Sequence, residues 1–161
     1  MRFPESTTRR HLHIPAALLA ATLLLGSVPA MAGECPADKM GVDVTPMSDM
    51  AAKDVTDTVI GKIDLKGEKV GIARMFRLRH LEVKPGGVVP WHSHGDRPAI
   101  IYIISGAITE YASTCAVPIE HKAGDVATET KATSHWWKNN GSEPVVLLSS
   151  DLLADPTDTN M

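Results

Sequence analysis

The segment Trp91-His92-Ser93-His94 carries two histidines one residue apart. In an extended strand that spacing puts both imidazoles on one face, because strand side chains repeat with period two. Two neutral nitrogens aimed at one point are what a first-row transition metal takes from a protein. A third imidazole stands on a separate apolar segment, Ser134-His135-Trp136-Trp137, which can fold back beside the first. His92, His94 and His135 are therefore the candidate metal ligands. His80 and His121 fall outside this pattern and read as ordinary strand histidines, and His11 and His13 lie in the N-terminal leader.

The glycines around these histidines extend the pattern. Gly86, five residues, His92-x-His94, then Gly106, followed downstream by Gly124, His135 and Asn139, resembles the two motifs of the cupin family in order and in register. The resemblance runs from about residue 74 to residue 153. It implies an all-β fold, a double-sheet jelly-roll β-barrel with the metal held inside. The sequence departs from the family at three points: Ala99 stands where a glutamate ligand is usual, and Thr130 and Ala132 replace the proline and glycine of the turn before His135. Three neutral ligands leave the full charge of a divalent ion in place, which draws anions or hydroxide to the remaining positions. Thiol, diketone and ring-cleaving dioxygenases of the same fold are similar in setting three histidines around iron. The resemblance thus implies a divalent transition metal, iron ahead of manganese, zinc, copper or nickel, and a metal-dependent, dioxygenase-like enzyme acting on a small molecule. The alternatives are a non-catalytic cupin that binds a metal or small ligand, and a structural cupin with an empty site.

A carboxylate could return from elsewhere in the chain. With Ser105-Gly106 as a two-residue hairpin turn, Ile104 pairs with Ala107 and Ile101 faces Glu110. Glu110 then shares the face of Ala99 and is the candidate to contact the metal or to stand behind a ligand, unless it is an ordinary solvated acid. Glu129 and Asp96 are weaker candidates for the same role. Arg97 directly follows the metal loop; it can pair with Asp96 or Glu110, or hold an anionic substrate with its fork of donors. All three tryptophans flank the proposed ligands. Trp137 shares the face of His135 and is the candidate pocket wall, whereas alternation turns Trp136 outward as an interface residue.

The ends bound the fold. Arg2, Arg9 and Arg10 precede an apolar run over residues 16–25, and Ala30-Met31-Ala32 follows, which reads as a signal peptide over residues 1–32. Thr8-Arg9-Arg10-His11-Leu12 also resembles a degenerate twin-arginine signal, so either export route is open. The expected location is the bacterial periplasm or the medium. Processing leaves about 130 residues, enough for one domain: an N-terminal arm over 33–56, a barrel over 57–153 and a polar, mobile tail over 154–161. With 16 basic against 19 acidic residues and no basic patch, nothing points to nucleic acid. No second apolar stretch is long enough for a membrane span. The expected partners are a small-molecule ligand and, as a homodimer, a second copy of the chain. In an exported protein the pair Cys35 and Cys115 reads as a disulfide. It would pin the arm to the barrel for about 4 kcal/mol of chain entropy before native strain is subtracted.

Between the ends the pattern is that of strands and turns. Apolar Met75, Leu78 and Leu81 alternate irregularly with Arg74, Arg77 and Arg79, and breaks are expected at Gly61, Gly67, Gly71 and Pro85-Gly86-Gly87. Further strands are expected over 98–104, 107–111, 119–121, 125–128, 135–138 and 145–148, with Asn139-Asn140-Gly141-Ser142 as a turn.

Overall fold

The computed structural model describes residues 33–69, 71 and 74–158. The expected signal peptide, with His11 and His13, lies outside the described residues. The described chain is all-β apart from one 3-10 turn, Ala37–Lys39. Its strands are β1 (Lys53–Asp64), β2 (Met75–Ser93), β3 (Ala99–Ser105), β4 (Ala107–Ala112), β5 (Ile119–Lys122), β6 (Val126–Glu129), β7 (Ser134–Lys138) and β8 (Val145–Leu153).

The 19-residue β2 belongs to both sides of the barrel. Its first half runs antiparallel between β1 and β8, and its second half pairs with β7. One side is then β1-β2-β8-β3-β6 and the other β5-β4-β7-β2, the double-sheet arrangement expected from the motifs. Inward residues of both sides, among them Leu81, Val83, Ile103, Ile108, Trp137 and Val145, meet in one buried cluster.

Three expectations about chain breaks are corrected. Gly61 does not end a strand; it sits inside β1 at a shift of register. Pro85-Gly86-Gly87 does not interrupt β2 but lets it bend from one side to the other. A side chain at Gly87 would come within 2.8 Å of the carbonyls of Asp54 and Lys84. Asn139 anchors this bend: its Nδ2 donates to the carbonyls of Val83 (2.9 Å) and Glu143 (2.8 Å). Ser105-Gly106, lastly, is not a hairpin turn. β3 pairs with β6 and β8, while β4 pairs with β5 and β7. Gly106, at φ +81°, carries the chain across from one side to the other, and a Cβ there would meet the carbonyl of Pro144 at 2.9 Å.

The ends are tied down. Cys35 and Cys115 form the expected disulfide, with Cα atoms 5.8 Å apart. Gly41 N and Val44 N donate to the carbonyls of Thr114 and Ser113, so the arm lies along the loop that carries Cys115. Residues 53–56 of the expected arm are strand, the start of β1. Residues 154–158 of the expected tail lie against the barrel. Arg77 Nη1 donates to the carbonyl of Asp158 (3.2 Å), and Arg97 Nη1 stands 3.7 Å from its carboxylate.

Candidate metal centre

His92 and His135 face each other across the β2–β7 ladder, just past a shift of register after Val89. His94 lies one residue beyond the end of β2, so the two early histidines are not both on a strand as expected. Its backbone N–H donates to the carbonyl of Thr133 (2.9 Å). The same short loop closes on itself through Thr133 N to the carbonyl of Thr130, so Thr130 and Ala132 make a serviceable turn without the family's proline and glycine.

The three imidazoles converge edge to edge. Their Nε2 atoms form a triangle with sides of 3.2 Å (His92–His94), 3.0 Å (His94–His135) and 3.0 Å (His92–His135). Each Nδ1 faces an oxygen acceptor: the carbonyl of Pro90 at 2.9 Å, the carbonyl of Arg97 at 2.8 Å and Glu110 Oε1 at 2.6 Å, in the same order of rings. The ring proton therefore sits on Nδ1 in all three, and three Nε2 lone pairs point at one another with no proton between them. Burial pushes the pKa of His92 down to about 2 and that of His94 down to about 4, which keeps both rings neutral. Separations of 3.0–3.2 Å are short enough for the three nitrogens to share one ion with nitrogen–metal bonds of about 2.1 Å. The donor set fits a divalent first-row ion.

The acids stand behind His135. Glu110 is buried, as expected, although the hairpin that predicted its orientation does not exist. Besides His135 it accepts a hydrogen bond from His121 Nε2 at 2.8 Å. Burial raises its pKa, but the bonds from His121 and His135 outweigh this and hold it at about 2. It is a carboxylate that fixes the tautomer of His135. Glu129 Oε2 lies 3.7 Å from the same Nδ1; burial, reinforced by the charge of Glu110, lifts its pKa to about 7. His121, read from sequence as an ordinary strand residue, is fully buried, stacks on Trp137 (ring centres 4.6 Å apart) and completes a chain His135–Glu110–His121. The signal that could have found it is alternation, which gives His121 the inward face shared with Ile119. Ala99 sits in register with Glu129 on one side and Asp151 on the other. The rung that lacks the family's glutamate is flanked by two buried acids.

Trp137 is buried and edge-on to the His135 imidazole, its indole Nε1 3.1 Å from Nδ1 and 3.3 Å from Nε2, so its N–H meets the face of the ring and leaves the Nδ1 proton to Glu110. Trp136 points outward and stacks on Tyr111 at 4.0 Å. Inside the barrel a cavity of about 20 Å³ is lined by His92, His94, Trp137, Arg79, Ser149 and four aliphatic side chains. On the other side of His92 a groove of about 570 Å³ runs past Trp91, Arg97 and the tail from Leu153 to Asp158. Arg97 is 2 % exposed, in the wall of this groove.

The sequence reading missed the arginines of β2. Arg77, Arg79, Leu81 and Val83 all point inward. Arg77 grips Asp151 with two bonds of 3.0 and 2.7 Å. Arg79 pairs with Asp57, lies 3.5 Å from Asp151 and donates to Ser149 Oγ at 3.2 Å.

Comparison with known proteins agrees with this architecture. The family model of the cupin domain matches residues 79–151. Germin-like protein 5-1 of Oryza sativa subsp. japonica is 33% identical over 75 residues, which span 44% of this chain and 33% of that protein. Among solved structures, the Cnp3 cupin domain of Schizosaccharomyces pombe superposes with a TM-score of 0.50 at 16% identity, covering 65% of each chain. A double-stranded β-helix domain protein of Klebsiella pneumoniae gives 0.52 at 18% identity, covering 66% of this chain and 83% of that one. At such identities the superpositions speak for the fold. By its barrel, its two motifs and the family model, the stretch from residue 79 to residue 151 is a cupin domain.

Proposed function

We propose that this cupin holds one divalent transition metal, iron by preference, on His92, His94 and His135, and acts on a small molecule as an oxygen-using enzyme. One observation carries the metal: three neutral imidazoles aim lone pairs at a common point across 3.0–3.2 Å, an arrangement that is repulsive without a cation and favourable with one. Iron in a set of neutral ligands supplies one-electron chemistry with dioxygen. The chain supplies orientation through Glu110, a dry wall through Trp137, and two unequal spaces on either side of His92. The inner cavity, at about 20 Å³, admits little more than a water-sized group, and the groove has the volume of a small-molecule site.

The disulfide supports export to an oxidising compartment, and among the described residues no helix is long and apolar enough to cross a membrane. The outer face of β3 and β6, with Ile100, Tyr102, Ile104 and Val126 exposed, supports contact with a second copy of the chain.

A specific observation favours the non-catalytic reading as the alternative: among the described residues, and apart from the two candidate-ligand histidines, the inner cavity is lined by no acid or imidazole that could serve as a base. Reconstitution with iron(II), followed by oxygen uptake in the presence of small thiols, diketones and catechols, separates the two. Uptake dependent on iron and on one substrate class supports the enzyme. Iron retained without uptake supports the binding protein, and failure to retain any metal contradicts both.

A further inference from the structure

The chain leaves the barrel at Leu153, the last residue of β8, and residues 154–158 add no rung to either side of it. They run between two grooves. One, of about 570 Å³, passes Trp91, His92 and Arg97; the other, of about 410 Å³, passes Asp57, Arg77 and Arg79. Leu153 and Asp158 line both, so this segment is the wall that divides them. It holds its own shape. Asp155 Oδ1 accepts from Thr157 N at 2.8 Å and from Thr157 Oγ1 at 2.7 Å, and Asp158 N donates to the carbonyl of Asp155 at 3.2 Å, a self-capped turn of the kind an Asp-Pro start favours. Asp155, Pro156 and Thr157 are exposed, and the grip on the barrel lies at the far end. Arg77 Nη1 donates to the carbonyl of Asp158, and Arg97 Nη1 stands 3.7 Å from its carboxylate.

Charge explains why an acid stands at that end. Asp151 alone faces three guanidiniums, with Arg77 at 2.7 Å, Arg79 at 3.5 Å and Arg97 at 3.9 Å, while Asp57 serves Arg79. Three buried cations thus meet two carboxylates carried by strands, and Asp158 supplies the third. We infer that residues 154–158 form a strap latched by Asp158 over Arg77 and Arg97, and that its release joins the two grooves and opens the way to His92. A segment with exposed side chains, no ladder bonds and its anchor in one residue opens at lower free energy than the strands around it. None of the strap residues belongs to the imidazole triangle. The strap therefore sets how fast a metal or a small molecule is exchanged, not how tightly the three rings hold an ion. The inference deepens the reading of His92 as a ligand, yet its first measurement needs no metal.

That measurement is the rate at which diethyl pyrocarbonate modifies each histidine of the purified, metal-free protein, read by peptide mass spectrometry. His92 is half-buried and lines the larger groove; His121 and His135 are fully buried and serve as internal standards. Asp158→Asn should quicken modification of His92 by about tenfold while His121 and His135 stay protected. Asp96→Asn removes an exposed charge from the same groove without touching the latch, and should leave the His92 rate within about twofold of the parent. In protein loaded with cobalt(II), Asp158→Asn should speed extraction by EDTA by a similar factor and keep the equilibrium affinity within about twofold. An unchanged His92 rate in Asp158→Asn overturns the strap. So does an equal rise at His121 and His135, which marks a loosened barrel, or an Asp96→Asn effect as large as that of Asp158→Asn. Absence of cobalt uptake contradicts the metal reading and leaves the His92 rates to decide the strap. Should Asp158→Asn fail to fold, the chain ending at Leu153, which keeps every strand, decides by the same rates.

Discussion

Glu110 Oε1 lies 2.6 Å from Nδ1 of His135, so the shortest acidic contact of the candidate centre is made to the back of a candidate ligand, away from the point where the three Nε2 atoms converge. The carboxylate locks the His135 proton on Nδ1 and makes Nε2 a better donor. Glu110→Gln should keep the barrel, since an amide can still accept from His135, yet lower metal affinity by about 10- to 100-fold. Competition against a chromophoric chelator measures this; unchanged affinity would remove Glu110 from the site.

The three ligands should act as a unit. Alanine at His92, His94 or His135 should abolish stoichiometric metal binding, whereas His80→Ala, on the outward face of β2, should leave it unchanged. Metal content after dialysis reads the difference. Full metal in the His94→Ala protein would contradict the triangle.

Ala99→Glu should not restore the family's ligand. The new acid would join Glu129 and Asp151 in register on the same buried rungs. Uncompensated burial of a further carboxylate should cost roughly 2–4 kcal/mol of stability, read by denaturant unfolding, without a gain in metal affinity. A variant as stable as the parent that binds metal more tightly would show that the rung has room for a ligand.

The metal-free protein should lose stability in acid with a defined slope. His92 and His94, depressed to about 2 and about 4, stay neutral in the fold while the unfolded chain takes up protons below its ordinary histidine pKa of about 6.5. Their contribution is thus complete above about pH 6.5 and falls as pH drops. Glu129, raised to about 7, works the other way: it stabilises the fold below the ordinary carboxylate pKa, and that contribution is lost as pH rises toward 7. Two protons against one leave a net slope of about one proton between pH 5 and 6.5, or about 1.4 kcal/mol per pH unit. Glu129→Gln should steepen it toward two protons. A slope that does not change in this variant would show that Glu129 is ionised in the fold.

Much of this was legible in the sequence. The convergence of His92, His94 and His135 follows from spacing, and the strand from 98 to 104 and those after it fall close to their expected positions, because short half-buried strands alternate cleanly and end at strong turn residues. The misreadings have physical reasons. β2 hides its face because arginines occupy inward rungs where pattern reading expects apolar side chains; only their pairing with Asp57 and Asp151, distant in sequence, makes that tolerable. Gly106 looks like a hairpin residue, yet it carries a crossover between the two sides, and local turn chemistry does not distinguish these. Glu110 was placed on the correct face through a pairing that is absent. His121 and Glu129 matter through contacts with Glu110 and His135, which a motif does not encode.

X-ray absorption at the metal edge of the purified, iron-reconstituted protein tests the central claim most directly. The account predicts one ion per chain with three imidazole nitrogens at about 2.1 Å, lighter oxygen or nitrogen ligands completing six-fold coordination, and loss of the imidazole scattering in His94→Ala. Fewer than three imidazoles in the first shell, or a spectrum unchanged by His94→Ala, would contradict it.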